Sequence, residues 1–172
     1  QVLGTKDFVN TGGNVYSEHF HGLGVLSCIA ANLPGQMVGT APKAEFWLLR
    51  TEDAPTENLI EEFNWLSGAE FADSVGVDVI NSSLGYIGFD MPKWDHSYED
   101  LNGNTAIASI AADIATSKGI LVCVSAGNNG DSGFPYNAAP ADADSVLSVG
   151  AVWLDDERIS FINMNALNMD FD

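Results

Sequence analysis

Two polar residues, His21 and Asn128, are candidates for a catalytic role. His21 opens a run of small and apolar residues that is typical of a buried helix. An imidazole fixed in the first turn of such a helix can act as a general base, because its pKa lies near working pH. Asn128 follows an apolar run and lies in a glycine-rich segment that permits close backbone approach. Either residue alone is more often structural than catalytic, so the setting of each decides.

Two segments of small polar residues follow predicted strands. Segment 81–85 reads Asn-Ser-Ser-Leu-Gly, and segment 125–130 reads Ser-Ala-Gly-Asn-Asn-Gly. In open α/β sheets, active groups gather at the carboxyl ends of the strands. We therefore expect the groups that carry chemistry to lie in these two segments and around His21.

The elements that must position these segments alternate between strand and helix. Apolar and β-branched runs predict strands at 44–49, 77–81, 120–125 and 146–152, with a short extended piece at 1–3. Apolar spacing predicts helices at 22–31, 57–75 and 104–118. This alternation predicts βαβ units and a parallel sheet, and the nearly continuous apolar strands favour a sheet covered on both faces.

The helix patterns also predict which faces are buried and where helices end. The helix at 22–31 is expected to be buried nearly all round, since small and apolar residues predominate. The other two helices are each expected to turn one apolar face inward: Leu59, Phe63, Leu66 and Ala69 in the first, and Ile107, Ile110, Ala111 and Ile114 in the second. Asn104 is the expected N-cap of the last helix, and Gly76 and Gly119 are expected to end the two helices.

Composition excludes several classes of protein. The chain has 172 residues, 46% of them hydrophobic, which is enough for one domain with a packed core. It holds 24 Asp and Glu against 6 Lys and Arg, so its net charge of -18 repels phosphate backbones and anionic membrane surfaces. No apolar run approaches the roughly 18 residues of a membrane helix. We therefore expect a globular protein that binds neither nucleic acid nor membranes.

The two cysteines and the start of the chain carry little chemistry. Cys28 and Cys123 each lie in an apolar segment without metal-binding spacing, so two buried free thiols are expected, with a disulfide as the alternative. No signal-peptide pattern follows Gln1, as expected if the start of a precursor has been removed.

Four ordered segments resemble the middle of a subtilisin-like serine peptidase, a subtilase. Segment 21–25, His-Gly-Leu-Gly-Val, resembles the His-Gly-Thr-x-Val of the family's catalytic histidine, and segment 38–44 resembles its Gly-x-Ala-Pro-x-Ala. Segment 77–85 resembles the Val-Ile-Asn-x-Ser-Leu-Gly strand and substrate-binding segment. Segment 124–128 resembles the Ala-Ala-Gly-Asn that bears the oxyanion asparagine, and 135–152 resembles the strand that follows.

The resemblance implies a fold and a role for each matching residue. It implies a three-layer α/β fold with a mainly parallel, doubly wound sheet, incomplete at both ends, in a partial peptidase domain covering 1–172. The motif match spans about 19–153. His21 would be the general base and Asn128 the oxyanion donor. One wall of the S1 pocket would be Ser83, Leu84 and Gly85, and the opposite wall Ser125, Ala126 and Gly127. His19 has no family role and is expected to be an exposed loop residue.

The chain also departs from the family pattern. The family's triad runs Asp, His, Ser, and the Asp ends an apolar strand. Asp7 follows Gly-Thr-Lys, which does not indicate a strand end, so we reject it as the triad Asp. No Gly-Thr-Ser-Met-Ala nucleophile segment occurs, Leu23 replaces the usual Thr, and the tail 161–172 does not match the family. We expect an excised piece that is inactive alone.

Two functions remain open at this point. The first is a serine endopeptidase, a secreted hydrolase in the parent protein, acting on extended polypeptides. The alternative is a non-catalytic subtilase-like domain that binds peptides or has a structural role. The resemblance and the acidity favour an extracellular or cell-envelope setting. Exposed edges of an incomplete sheet are expected to cause self-association.

No cofactor is required by the implied reaction, and no metal site is assigned. The acidic loop at 86–103 leaves calcium open as a ligand, through Asp90, Asp95, Glu99 and Asp100. The pair Asp142 and Asp144 is a weaker candidate of the same kind. A solvated insert beside the substrate cleft is the expected role of the loop.

Overall fold

The computed structural model describes residues 1–153 and 160 of the chain. Its contacts divide the chain into two compact units, Gln1–Pro55 and Thr56–Asp172. The atypical tail expected at 161–172 lies outside the described residues.

The first unit contains a parallel strand pair, one helix and a short hairpin. Its elements are β1 (Val2–Asp7), α1 (Phe20–Ala30), β2 (Asn32–Leu33), β3 (Met37–Val38) and β4 (Phe46–Arg50). β1 and β4 run parallel and place Asp7 opposite Arg50, whereas β2 and β3 pair antiparallel. β4 agrees with the strand predicted at 44–49.

Asp7 does end a strand, so the sequence argument against a strand end there was wrong. β1 runs to Asp7 instead of stopping near residue 3, because its backbone pairs with β4 despite polar side chains. The carboxylate Oδ1 of Asp7 accepts the N–H groups of Val9 and Asn10, at 2.9 and 2.8 Å, and Oδ2 contacts the Arg50 guanidinium at 3.2 Å. Burial raises the pKa of Asp7, but these bonds outweigh burial and leave the pKa lowered. Asp7 therefore fastens the strand ends together.

α1 is exposed, which contradicts the expectation of a helix buried nearly all round. None of its residues is buried, and Phe20 and Leu23 expose 78% and 66% of their surface. Its second half is half-buried at Val25, Leu26, Ile29 and Ala30, whereas residues 20–24 are exposed because no element of the described chain covers them. An uncovered surface of this kind seeks a partner.

The second unit is an α/β domain with a three-stranded parallel sheet. Its elements are α2 (Ile60–Ser74), β5 (Val79–Ser82), α3 (Ile107–Ser117), β6 (Leu121–Ser125) and β7 (Leu147–Val149). The strand order is β5-β6-β7, with all neighbours parallel, as the alternation of elements predicts. α2 packs on α3, and α3 packs on β6. The α/β class with parallel strands is thus confirmed.

The predicted inward faces of the two helices were partly wrong. Ala69 and Ala111 are buried as expected, but Phe63, Ile110 and Ile114 expose 44%, 40% and 52% of their surface. The buried face of α3 is lined by small residues, and that of α2 combines small residues with three large ones: Ala108, Ser109, Ala111, Ala112 and Ala115 in α3, and Gly68, Ala69, Ala72, Glu61, Glu62 and Trp65 in α2. Small side chains let two helices and a sheet approach closely, so Ile110 and Ile114 lie largely outside that contact.

The helix ends were predicted better than the N-cap. Gly76 and Gly119 follow α2 and α3 with φ of 73° and 95°, the left-handed conformation that glycine adopts without strain. Asn104 is not the N-cap of α3, because its side chain instead donates to the backbone of Asn102. The helix begins later, with Ala106 as N-cap.

Both cysteines are free thiols, as expected, but only one lies in a partly buried position. Cys28 is exposed on α1, so its predicted burial was wrong, for the reason given for that helix. Cys123 lies in β6 and is half-buried, and burial raises the pKa of its thiol.

Candidate active site

The carboxyl ends of β5 and β6 lie side by side. The two strands pair in parallel with Ser82 opposite Val124, so the segments 83–85 and 125–128 leave the sheet at the same edge. The indole Nε1 of buried Trp65 donates to the Ser82 hydroxyl at 2.9 Å and ties this end of β5 to α2. The two segments predicted to line a substrate pocket are thus brought together by strand pairing.

The first predicted wall has two half-buried members, Ser83 and Leu84, and one exposed member, Gly85. Asn81 donates through Nδ2 to the Ser83 hydroxyl at 3.0 Å, which fixes the start of the segment. Leu84 packs against the hydrophobic core, whereas Gly85 is exposed. An exposed glycine leaves its backbone accessible to an extended peptide.

The second predicted wall turns sharply at a glycine. The buried Ala126 donates its N–H to the carbonyl of Val149 in β7 at 2.9 Å. Gly127 has φ of 102° and donates its N–H to the Ser125 hydroxyl at 3.3 Å. Asn128 follows this turn and is exposed, so its side-chain amide is accessible. A side chain at Gly127 would be strained, which explains the residue type there.

A contact that the sequence did not indicate ties the two following loops together. The backbones of Tyr86 and Ala139 exchange hydrogen bonds of 2.7 and 3.2 Å. A Cβ added to Gly85 would lie 2.7 Å from the Cβ of Ala138, closer than real Cβ contacts allow. Residue 85 therefore has to be glycine while Ala138 keeps its place.

His21 lies in the first turn of α1 and its side chain is exposed. The preceding His19 is the N-cap of the helix, and its Nδ1 accepts the N–H of His21 at 3.3 Å. His19 is exposed, as expected, but it has a structural role that the sequence argument did not assign. His21 belongs to the first unit, and Asn128 to the second.

Arg50 connects the carboxyl ends of β1 and β4 with the start of α1. Its guanidinium contacts the carboxylates of Asp7, Glu18 and Asp53 at 3.2, 3.5 and 3.3 Å. Glu18 directly precedes the N-cap of α1, so this network joins the start of the helix to β1 and β4. The cluster was missed because Asp7 and Arg50 are 43 positions apart.

The loop at 86–103 is folded by its own carboxylates. It contains two 3-10 turns, Pro92–Trp94 and Tyr98–Asp100. Asp95 accepts the N–H of Phe89 at 2.7 Å, and Asp100 accepts from both the N–H and the hydroxyl of Ser97. Asp95 and Asp100 thus serve as local hydrogen-bond acceptors, while Asp90, Asp95 and Glu99 are exposed.

A buried carboxylate fastens this loop to both helices. Glu62, fully buried in α2, contacts the imidazole Nε2 of His96 at 2.6 Å through Oε1. Its Oε2 accepts the N–H of Ala108 at 3.0 Å and so caps the start of α3. The hydrogen bond to Glu62 raises the pKa of His96, burial opposes this, and the charges of Glu62, Asp100 and Asp142 add to the rise.

The pair makes stability depend on pH. Folding raises the pKa of His96, so the protonated ring stabilises the folded chain. This stabilisation is present in full below about pH 6.5, the ordinary pKa of histidine, and is lost as the pH rises through the pKa of His96 in the folded chain. We expect Glu62→Gln to lower the free energy of unfolding by about 1.5–3 kcal/mol at pH 6 and to abolish this dependence. Urea midpoints between pH 6 and 9 measure both effects.

A matched control is the exposed Glu99, in the same loop. Glu99→Gln removes the same charge and should keep the pH dependence of the unmodified chain. If both variants lose the dependence equally, the Glu62–His96 bond is not its source.

The described residues do not assemble a metal site. No group of three or more His, Cys, Asp or Glu side chains in 1–153 is close enough to share an ion. Asp142, a calcium candidate from the sequence, accepts instead from the N–H of Gly103 and the hydroxyl of Ser109. None of the helices in the same range is long and apolar enough to cross a membrane.

Comparison with known proteins finds one family whose model matches most of the chain. The family model described as the subtilase family matches residues 4–168. Subtilisin NAT of Bacillus subtilis subsp. natto is 32% identical over 169 residues, covering 96% of this chain and 40% of that protein. Subtilisin E of Bacillus subtilis (strain 168) is 34% identical over 164 residues, covering 93% and 38%.

Solved structures agree on the fold. An alanine mutant of the protease domain of PatA superimposes with a TM-score of 0.64 at 22% identity, covering 95% of this chain and 54% of that one. The chain spans about two fifths of the length of the curated relatives it matches.

Proposed function

This chain belongs to the subtilase family, and from that premise we propose that the protein containing it is a serine endopeptidase. It would hydrolyse peptide bonds by Ser-His-Asp acyl transfer. The observation that carries the proposal is the pairing of β5 with β6, which brings segments 83–85 and 125–128 to one sheet edge. In open α/β sheets that edge is where active groups gather.

In this proposal His21 is the general base. It takes the proton of the nucleophilic serine hydroxyl as the oxygen attacks the scissile carbonyl, and it later gives that proton to the leaving amine. The exposed position of His21 in the first turn of α1 leaves its imidazole accessible for both transfers. The serine and the aspartate would come from parts of the protein outside the motif segments described above.

Asn128 would stabilise the negative charge that develops on the carbonyl oxygen. Its amide is exposed directly after the left-handed turn at Gly127, next to the carboxyl end of β6. A donor held in place before the reaction needs no reorganisation when the charge appears. The exposed position of Asn128 directly after this turn supports this role.

The substrate would be an extended polypeptide. Ser83, Leu84 and Gly85 would form one wall of the S1 pocket, with Ser125, Ala126 and Gly127 opposite. Backbone groups of two such segments can add hydrogen bonds to an extended strand of substrate. The shared sheet edge of β5 and β6 supports this arrangement.

A fluorophosphonate probe tests the proposal, because it labels only an activated serine. We expect the protein containing this chain to be labelled and to cleave peptides. The 172-residue chain alone should not be labelled, since it has no Gly-Thr-Ser-Met-Ala segment. A parent protein that binds extended peptides but is not labelled by the probe would favour the non-catalytic alternative. Labelling of the 172-residue chain alone would show that the nucleophilic serine lies within this chain, contrary to the proposal.

We propose that this hydrolysis needs no cofactor, because protein groups carry out every proton transfer in acyl transfer of this kind. Asp95 and Asp100 of the acidic loop already accept backbone N–H groups, which supports this proposal. A calorimetric titration of the chain with calcium should show no saturable heat. A saturable, stoichiometric heat would overturn this.

We propose that the chain alone associates with itself. α1 exposes Phe20 and Leu23, and Val79 exposes about half of its surface at β5, which pairs only with β6 among the described strands. Apolar surface and free strand edges favour association. Sedimentation velocity should show a mass that rises with concentration, and a folded monomer at high concentration would contradict this.

We propose an extracellular or cell-envelope location. The family and the scarcity of Lys and Arg, 6 against 24 acidic residues, support it. One relative, 28% identical over 173 residues, is named major intracellular serine protease, so the opposite location has a precedent. Fractionation should find the protein in medium or envelope, and recovery from the cytosol alone would overturn the proposal.

A further inference from the structure

The N-cap of α1 is a histidine, a residue that can lose its capping ability. His19 has the extended backbone of an N-cap, with φ of -150° and ψ of 143°, and its Nδ1 accepts the N–H of His21 at 3.3 Å. The usual N-caps are Ser, Thr, Asp and Asn, whose oxygens accept at every pH near neutrality. An imidazole accepts only while one ring nitrogen carries no proton.

This chemistry gives the cap two states. In neutral His19, Nε2 carries the proton and the lone pair of Nδ1 accepts the N–H of His21. In the imidazolium both nitrogens are donors, so the same bond cannot form. We propose that His19 is a positioning residue whose unprotonated ring fixes the first turn of α1, and that its protonation releases the turn that carries His21. The catalytic consequence rests on the function proposed above.

The rings of Phe20 and His21 lie near the His19 ring. The ring centroids of His19 and His21 are 6.5 Å apart. The Phe20 ring lies against His19 with centroids 4.5 Å apart and carries no charge. The neighbouring Glu18 is paired with Arg50 at 3.5 Å, so its charge is already partly balanced.

Nuclear magnetic resonance on the 172-residue chain tests the cap without any catalysis. A His21→Gln background keeps the amide of residue 21 but removes its own titrating ring. We expect the amide shift of residue 21 to follow the same midpoint as the ring signals of His19. Adding His19→Asn should remove this transition while the cap remains. The His96 ring, in the second unit, should titrate identically in both variants and serves as the internal control for folding.

Hydrogen exchange gives the size of the effect. In the same background, His19→Ala should speed exchange of the residue 21 amide about fivefold above the titration of His19, and His19→Asn should leave it unchanged. The proposal is overturned if the amide shift of residue 21 does not follow the ring signals of His19. It is also overturned if His19→Ala leaves the exchange rate of that amide unchanged.

The pH profile of the parent protein measures the catalytic consequence. With both imidazoles required in the neutral form, log kcat/KM should fall on the acid side with a slope approaching 2. In His19→Asn the slope should fall to about 1 with the plateau unchanged, because Asn caps without titrating. An unchanged slope overturns the positioning role. A parent protein without peptidase activity would refute the proposed function instead, while the amide titration would still decide the cap.

Discussion

Replacing His21 with alanine in the parent protein is expected to lower kcat by about 10⁶-fold with little change in KM. That magnitude is the loss measured for the corresponding histidine of subtilisin. The reason is that neither the serine proton nor the leaving amine then has a partner for proton transfer. Turnover of a chromogenic peptide at saturating substrate measures the effect.

The fold must be shown to survive this substitution. His21 is exposed, so His21→Ala in the 172-residue chain should leave the circular dichroism spectrum and the urea midpoint unchanged. If a folded His21→Ala parent kept a tenth of its activity, His21 would not be the general base. The same observation would remove the premise for the role of Asn128.

Replacing Asn128 with alanine is expected to lower kcat by about 10²- to 10³-fold, again with KM nearly constant. This range was also measured on subtilisin itself, at an oxyanion donor. The amide would interact with the oxygen mainly after it becomes negative, so its loss raises the barrier without weakening substrate binding. Steady-state kinetics on one peptide separates kcat from KM.

The neighbouring Asn129 provides a matched control. It is the same residue type, also exposed, and one position further along the loop, where its carbonyl accepts from Ser132. We expect Asn129→Ala to change kcat by less than about threefold, since no backbone bond is lost. Equal losses in the two variants would mean that the loop, and not a donor at 128, sets the rate.

The spacing of apolar residues was sufficient to predict the class of fold, but it did not predict correctly which residues are buried. Alternating helices and apolar strands predict the parallel order that β5, β6 and β7 show. β1 was underestimated because Gly4 and Lys6 have low strand propensity, and pairing with β4 overrides it. The helix faces were reversed in part because close packing favours alanine over isoleucine, which a hydrophobicity pattern cannot distinguish.

The motif segments were readable from sequence because each is local. Asn128 and the proposed pocket walls at 83–85 and 125–127 lie in short stretches whose residue types are set by a turn or a strand end. The supporting contacts join residues that are far apart: Glu62 and His96 are 34 positions apart, and Arg50 and Asp7 are 43. Only the folded chain pairs such residues, so a single sequence offers no signal for them.

The close approach of residues 85 and 138 constrains which substitutions the two loops can accept. Because a methyl group on residue 85 would collide with the Cβ of Ala138, enlargement at one position is tolerated only after the other becomes smaller. The mutual backbone bonds of Tyr86 and Ala139 prevent the loops from moving apart to relieve the collision. Substitutions that enlarge residue 85 would therefore have to be paired with a compensating change at residue 138.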